Sequence, residues 1–219
     1  MNYPTRTILE YSFAAFRVNG DYVKITNMYE NQYSNKDLIL RTLKENFWTP
    51  PEGTAFEPLT VTDEDRQALE RASQFMRRYS LLSLGNLTKF QEEVYRAYCA
   101  EETPENKIGI LAYFPMFAQR ELEQKEFRQV LKNEYKDSKF VDEKYFNLEL
   151  KILKAIYLQM YDKTMHIAGC DGNLFSFFID KKIPVDTTVK VKARNSGHDK
   201  ERDTGYEITK LNYVKILKG

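Results

Sequence analysis

The chain has 219 residues, 42% hydrophobic and 14% aromatic, with 33 basic and 32 acidic side chains and a formal net charge of +1. This is the composition of a folded protein, not a disordered one, and the length admits one large domain or two small ones. No apolar run approaches the ~20 residues of a membrane span, and the opening MNYPTRTILEYSF lacks the basic-then-apolar pattern of a secretory signal, so a cytoplasmic location is expected.

In chain order, FAAFRV-Asn19-Gly20-DYVKI predicts an N-terminal β-hairpin, with Asn-Gly supplying the positive φ of a type I′ turn. Ser34 caps a helix over Asn35–Phe47, where Leu38, Ile39, Leu43 and Phe47 recur at helical spacing and Asp37 completes a capping-box pattern. The Trp48–Gly53 stretch, with Pro50 and Pro51, must stop it. A second helix is expected over Thr62–Tyr79, and a third over Lys89–Ala100, capped by Thr88 and Gln91. A fourth starts at Thr103-Pro104-Glu105, where proline suits the first helical position. Pro115 should break or kink it before a charged helix over Met116–Tyr135. The aromatic load of residues 1–135 is heavy. Most of those rings must fill a core, while a remainder near Tyr113–Phe117 is expected to form a partner site or a self-association surface.

The last third reads differently. Tyr145–Leu158 alternates apolar and polar residues over its whole length, the period of a half-buried strand. Thr164–Ala168 and Leu174–Ile179 follow, separated by a turn carrying Asp171-Gly172. Thr187–Asn195 comes next, and Tyr206–Leu217 closes the series. Five short strands without intervening helical pattern predict a five-stranded antiparallel barrel. The expected fold class is therefore α+β: residues 1–135 mostly helical with an N-terminal hairpin, residues 136–219 a barrel. Charge follows the same division, with sixteen basic against twelve acidic residues in 136–219, and seventeen against twenty before it.

Alternate residues of a strand face opposite ways. If Val189, Val191 and Ala193 point inward, Lys190, Lys192 and Arg194 point outward together. Taking Met165 and Ile167 inward puts His166 outside, and taking Leu174, Ser176 and Phe178 inward puts Phe175 and Phe177 outside; Tyr157 joins the outward set. The opposite assignment buries Phe175 and Phe177. Exposed aromatics beside a row of cations suit single-stranded nucleic acid, whose bases stack and whose phosphates need positive charge. Ser196–Gly205, with Lys200 and Arg202 among Asp199, Glu201 and Asp203, is expected to be a mobile loop that orders on the ligand.

The stretches SKFV, YDKTMHIAGCDGNLFSFF, TVKVKARN and GYEITKLNYVKIL resemble a module of phage-encoded proteins, similar to oligonucleotide-binding (OB) folds of the single-stranded-DNA-binding type. Ser138, Val141, Asp171, Gly172, Asn173, Phe175, Val189, Thr209, Leu211 and Val214 match its pattern. Asp142-Glu143-Lys144 stands where glycines are usual, and Phe177 stands where a tryptophan is common. The resemblance covers about the last 80 residues. It implies a phage-encoded replication-accessory protein, acting in the cytoplasm of an infected bacterium, that binds single-stranded DNA or RNA and recruits a protein partner through its helical region. The alternative is a protein-interaction factor in which the barrel is scaffold only.

Enzymatic readings are weaker. Glu149-Leu150-Lys151 has the Glu-x-Lys form of metal-dependent nucleases, with Asp137 or Asp142 upstream, but so short a motif arises readily in charged strands. His166 and Cys170 fall short of the four ligands of a closed zinc site, with His198 and Cys99 the remaining soft ligands. No phosphate-binding glycine loop is present. Neither catalysis nor a metal or other cofactor is expected, and Cys99 and Cys170 are read as free thiols.

Overall fold

The computed structural model describes residues 1–30, 32–44, 57–82 and 87–217, the side chains of 28 and 77–82 excepted. The chain divides into two compact units, Met1–Leu122 and Glu123–Gly219. No helix among the described residues is long and apolar enough to cross a membrane.

In the first unit, β1 (Asn2–Pro4) pairs antiparallel with β2 (Glu102–Pro104). Between them run α1 (Thr5–Asn19), α2 (Asn35–Leu43), α3 (Asp63–Leu82) and α4 (Lys89–Cys99). No hairpin forms at Asn19-Gly20. Ile8, Leu9, Ser12 and Ala15 are buried on one face of α1, and Gly20, at φ 71°, donates its N–H to Arg17 O to end the helix. A left-handed glycine serves a helix C-terminus as well as a hairpin turn, and the apolar period over residues 8–15 decides for the helix.

Ser34 caps α2 by accepting from Asp37 N, whereas the Asp37 carboxylate takes the Thr26 hydroxyl. Thr88 and Gln91 form the reciprocal capping box of α4. The expected helix stop at Trp48–Gly53, and Phe47, lie outside the described residues. Pro104 ends β2 instead of opening a helix, and a 3-10 turn (Glu105–Lys107) leads into α5 (Ile108–Ala112). Pro115 does not interrupt a helix either. It falls in the first turn of α6 (Phe114–Glu134), where a proline loses no hydrogen bond. Phe114 and Phe117 are buried with Ile8, Ile39, Met76 and Leu111, so the stretch expected to face a partner is largely core.

The second unit holds the C-terminal part of α6 and a closed barrel of β3 (Tyr145–Leu158), β4 (Lys163–Cys170), β5 (Asn173–Ile179), β6 (Thr188–Lys200) and β7 (Glu207–Ile216), ordered β3-β4-β5-β7-β6. The barrel is mixed, not wholly antiparallel: β5 and β7 are parallel, Leu174 facing Ile208 and Phe177 facing Leu211. Three strands run as a meander, the fourth returns beside the first, and the fifth fills the gap, which is a Greek-key order. Asp171 and Gly172, at φ 48° and 76°, make the β4–β5 turn, as their sequence implies.

Two apolar layers meet across the barrel wall. Inside lie Phe146, Leu150, Ile152, Ala168, Phe175, Phe177, Val191 and Leu211. Outside, Phe127, Leu131 and Tyr135 pack with Leu153, Ile167, Leu174 and Ile208. The unit boundary thus falls inside α6, because the end of that helix belongs to the barrel's outer layer.

Residues 138–141 latch across one end of the barrel. Ser138 Oγ donates to Glu207 O at 2.7 Å and accepts from Leu174 N at 2.9 Å. Lys139 N reaches Asn173 Oδ1, and Val141 N reaches Thr209 Oγ1 at 3.0 Å. Four of these residues, Ser138, Val141, Asn173 and Thr209, match the module pattern noted in the sequence, and their work here is closure of the barrel.

Candidate nucleic-acid interface

The expected site residues divide into three places. Phe175, Phe177 and His166 are 2%, 0% and 0% exposed; they line the barrel interior, which reverses the outward assignment for β4 and β5. The reason is that both strands carry apolar residues on both faces, and α6 covers the outer set, Ile167 and Leu174. His166 stacks on Phe177 at 5.1 Å and its Nε2 accepts from Ile183 N at 3.0 Å. Burial pushes this imidazole below its ordinary pKa, partly opposed by backbone hydrogen bonds. Phe178, expected inside, is 51% exposed.

Tyr157 is exposed at the far end of β3, its hydroxyl donating to Asp162 Oδ1 at 2.7 Å. Lys200 and Arg202 are exposed where β6 turns into β7. That turn is not a slack loop. Residues 196–200 continue β6, and the buried Glu201 carboxylate accepts from Asp203 N, Thr204 N and Thr204 Oγ1 at 2.8–2.9 Å.

Lys190, Lys192 and Arg194 do stand together on the outer face, because Val191 and Ala193 are core. Strand register extends the group. Across β3–β6–β7, Tyr145 faces Arg194, Asn147 faces Lys192, Glu149 faces Lys190, and Lys192 faces Lys215. Tyr145 and Tyr213 are 66% and 76% exposed, and Lys144 Nζ lies 5.6 Å from the Tyr145 ring centroid. Tyr213 takes φ 51° in a stretch of irregular β6–β7 register, between the inward residues Leu211 and Val214.

Lys190, Lys192, Arg194 and Lys215 have no ion-pair partner within 4 Å among the described residues, and Glu149 is the carboxylate sharing their rows. Sequence reasoning missed Tyr145, Tyr213 and Lys215. The period-two alternation of β3 would have given Tyr145, which shares a parity with Asn147 and Glu149. Lys215 and Tyr213 were hidden by the register shift, which breaks simple parity along β7.

A second surface, half-buried at Ile156 and Met165 and exposed at Phe178, is apolar. Ile156, Met165 and Phe178 form one cross-strand row, and Met160 and Tyr161, 87% and 65% exposed, follow in the β3–β4 connection.

No group of three or more His, Cys, Asp or Glu able to hold a metal occurs among the described residues. His166 lies inside the barrel, while the Cys170 thiol donates to Asp171. Both cysteines are free. Glu149 and Lys151 flank the buried Leu150, and Lys151 pairs with Asp186 at 3.5 Å. Comparison of the chain with protein-family models, curated proteins and solved structures found no match.

Proposed function

We propose that the barrel is an OB-type module that binds single-stranded nucleic acid on the outer face of β3–β6–β7. Phosphates are held by Lys190, Lys192, Arg194 and Lys215, and unpaired bases stack on Tyr145 and Tyr213. A five-stranded Greek-key barrel is the OB architecture, and the observed strand order supports that reading.

The observation that carries the function is the Lys192–Lys215 pair. Like charges directly opposite on neighbouring strands destabilise a sheet, and no carboxylate within 4 Å offsets these two among the described residues. A polyanion supplies the missing charge. Cations two residues apart on one strand are spaced by about 6.7 Å, which suits the repeat of an extended phosphate backbone.

A mobility-shift titration with a single-stranded 30-mer and its duplex tests this. Tighter binding of the single strand, weakened by salt, is expected; equal binding of the duplex would reject base stacking.

The second reading, a protein-interaction factor with the barrel as scaffold, is favoured by the apolar Ile156–Met165–Phe178 row, half-buried at Ile156 and Met165 and exposed at Phe178, beside the exposed Met160 and Tyr161. It predicts no shift with either nucleic acid.

A further inference from the structure

The cationic rows lead somewhere. Past Arg194, β6 carries a register shift between Asn195 and Gly197. Gly197 has φ 128°, which side chains rarely adopt, and a Cβ built there would meet nothing within 4 Å. The strand therefore shows bare backbone to open space, a mark of places where another backbone comes close.

Next is His198, which pairs with the buried Thr209 and so faces the inner side of the ribbon, opposite the cationic rows, its ring stacked on Phe140 at 4.6 Å and 24°. Beside this pair a shallow cavity of about 650 Å³ opens between Lys136–Phe140 and Gly205–Glu207. Asn195 joins the two regions, with its N–H on Lys144 O at 3.1 Å and its amide on Val141 O at 2.9 Å. In the cavity wall, Glu207 Oε2 accepts from Phe140 N at 3.1 Å. Its Oε1 has no hydrogen-bond partner among the described residues.

We propose that this cavity holds the terminal unpaired base of a single strand lying on the β3–β6–β7 face, and that it favours a base with an exocyclic amino group over thymine. The proposal rests on the nucleic-acid reading above. The sugar-phosphate chain turns over β6 at Gly197 from the outer to the inner side, the base continues the His198–Phe140 stack, and Lys136 and Lys139, on either side of Asp137, stand by its phosphate. Unstacked bases are held on aromatic and histidine rings in this way. Glu207 Oε1 accepts from the cytosine N4 amino group, as glutamates do at cytosine edges. Thymine presents a carbonyl at the same place and meets the carboxylate with repulsion.

The test compares oligothymidylate 8-mers that end in dC or dT, at either terminus, by anisotropy titration of the full chain. Wild-type protein is expected to bind one dC-ended oligonucleotide about fivefold more tightly than its dT-ended counterpart. Glu207→Gln keeps an oxygen for Phe140 N and offers an NH2 in place of Oε1, so the preference should vanish or invert, with thermal melting unchanged. His198→Ala should weaken all these oligonucleotides, and His198→Phe should restore them. Binding with no terminal preference, or an unchanged preference in Glu207→Gln, overturns the proposal and leaves the nucleic-acid reading standing. Binding of none of them rejects both.

Discussion

Strands β5 and β6 lie in the same barrel, yet one could be oriented from its sequence and the other could not. In β6 the apolar residues Val189, Val191 and Ala193 alternate with Lys190, Lys192 and Arg194. Burying the cations would cost several kcal/mol per charge, so one orientation survives. In β5, Leu174, Phe175, Phe177 and Phe178 occupy both parities, and neither orientation buries a charge. What decides is tertiary: α6 lies on the outside and takes Leu174, and the interior takes the larger rings. A strand reveals its inner face only when its other face is costly to bury.

The sharpest break of this comparison uses neighbours on β5. Phe177→Ala empties part of the barrel interior and should cost about 3–5 kcal/mol. Phe178→Ala, one residue on, should stay within about 0.5 kcal/mol, as exposed positions do. Urea unfolding followed by circular dichroism reads both, and equal losses would contradict the assigned orientation.

The outer layer has its own probe. A Cβ on Gly169 would fall 2.1 Å from the Tyr135 hydroxyl and 2.3 Å from its ring, so the Tyr135 side chain, just past the end of α6, must move. Gly169→Ala should therefore destabilise by about 1–3 kcal/mol. In a Tyr135→Ala background the same change should cost much less, and a double-mutant cycle measures that coupling.

His166 gives a smaller, pH-dependent effect. Burial holds its folded pKa below the ordinary 6.5, so the unfolded chain takes up the proton first as pH falls. Its contribution is intact above about 6.5 and lost as pH drops below that value toward the folded pKa. Urea midpoints at pH 7.5 and 5.5 should differ more for wild type than for His166→Gln. An equal difference would place the imidazole outside the barrel interior.

Much of the fold was legible because local chemistry agreed with it. The five strands, the Asp171-Gly172 turn and the Thr88–Gln91 cap each rest on a local requirement the residues meet. The Asn19-Gly20 hairpin was misread because two structures share that local requirement. Of the candidate site, the β6 cations were legible. Tyr213 and Lys215 were not, because a register shift is set by pairing across strands rather than by spacing within one. The residues behind the OB resemblance speak of closure: Ser138, Asn173 and Thr209 bind the latch. The outer face must therefore carry the functional argument on its own.

The central claim is that the unpaired cations of β3–β6–β7 meet phosphates. The most direct test is the salt dependence of single-strand affinity for wild type and for the variant with Lys190, Lys192, Arg194 and Lys215 all changed to Ala. The account predicts that the slope of log affinity against log salt flattens by about 0.7 for each phosphate the variant no longer neutralises, with the melting temperature preserved. An unchanged slope in a folded variant would contradict it.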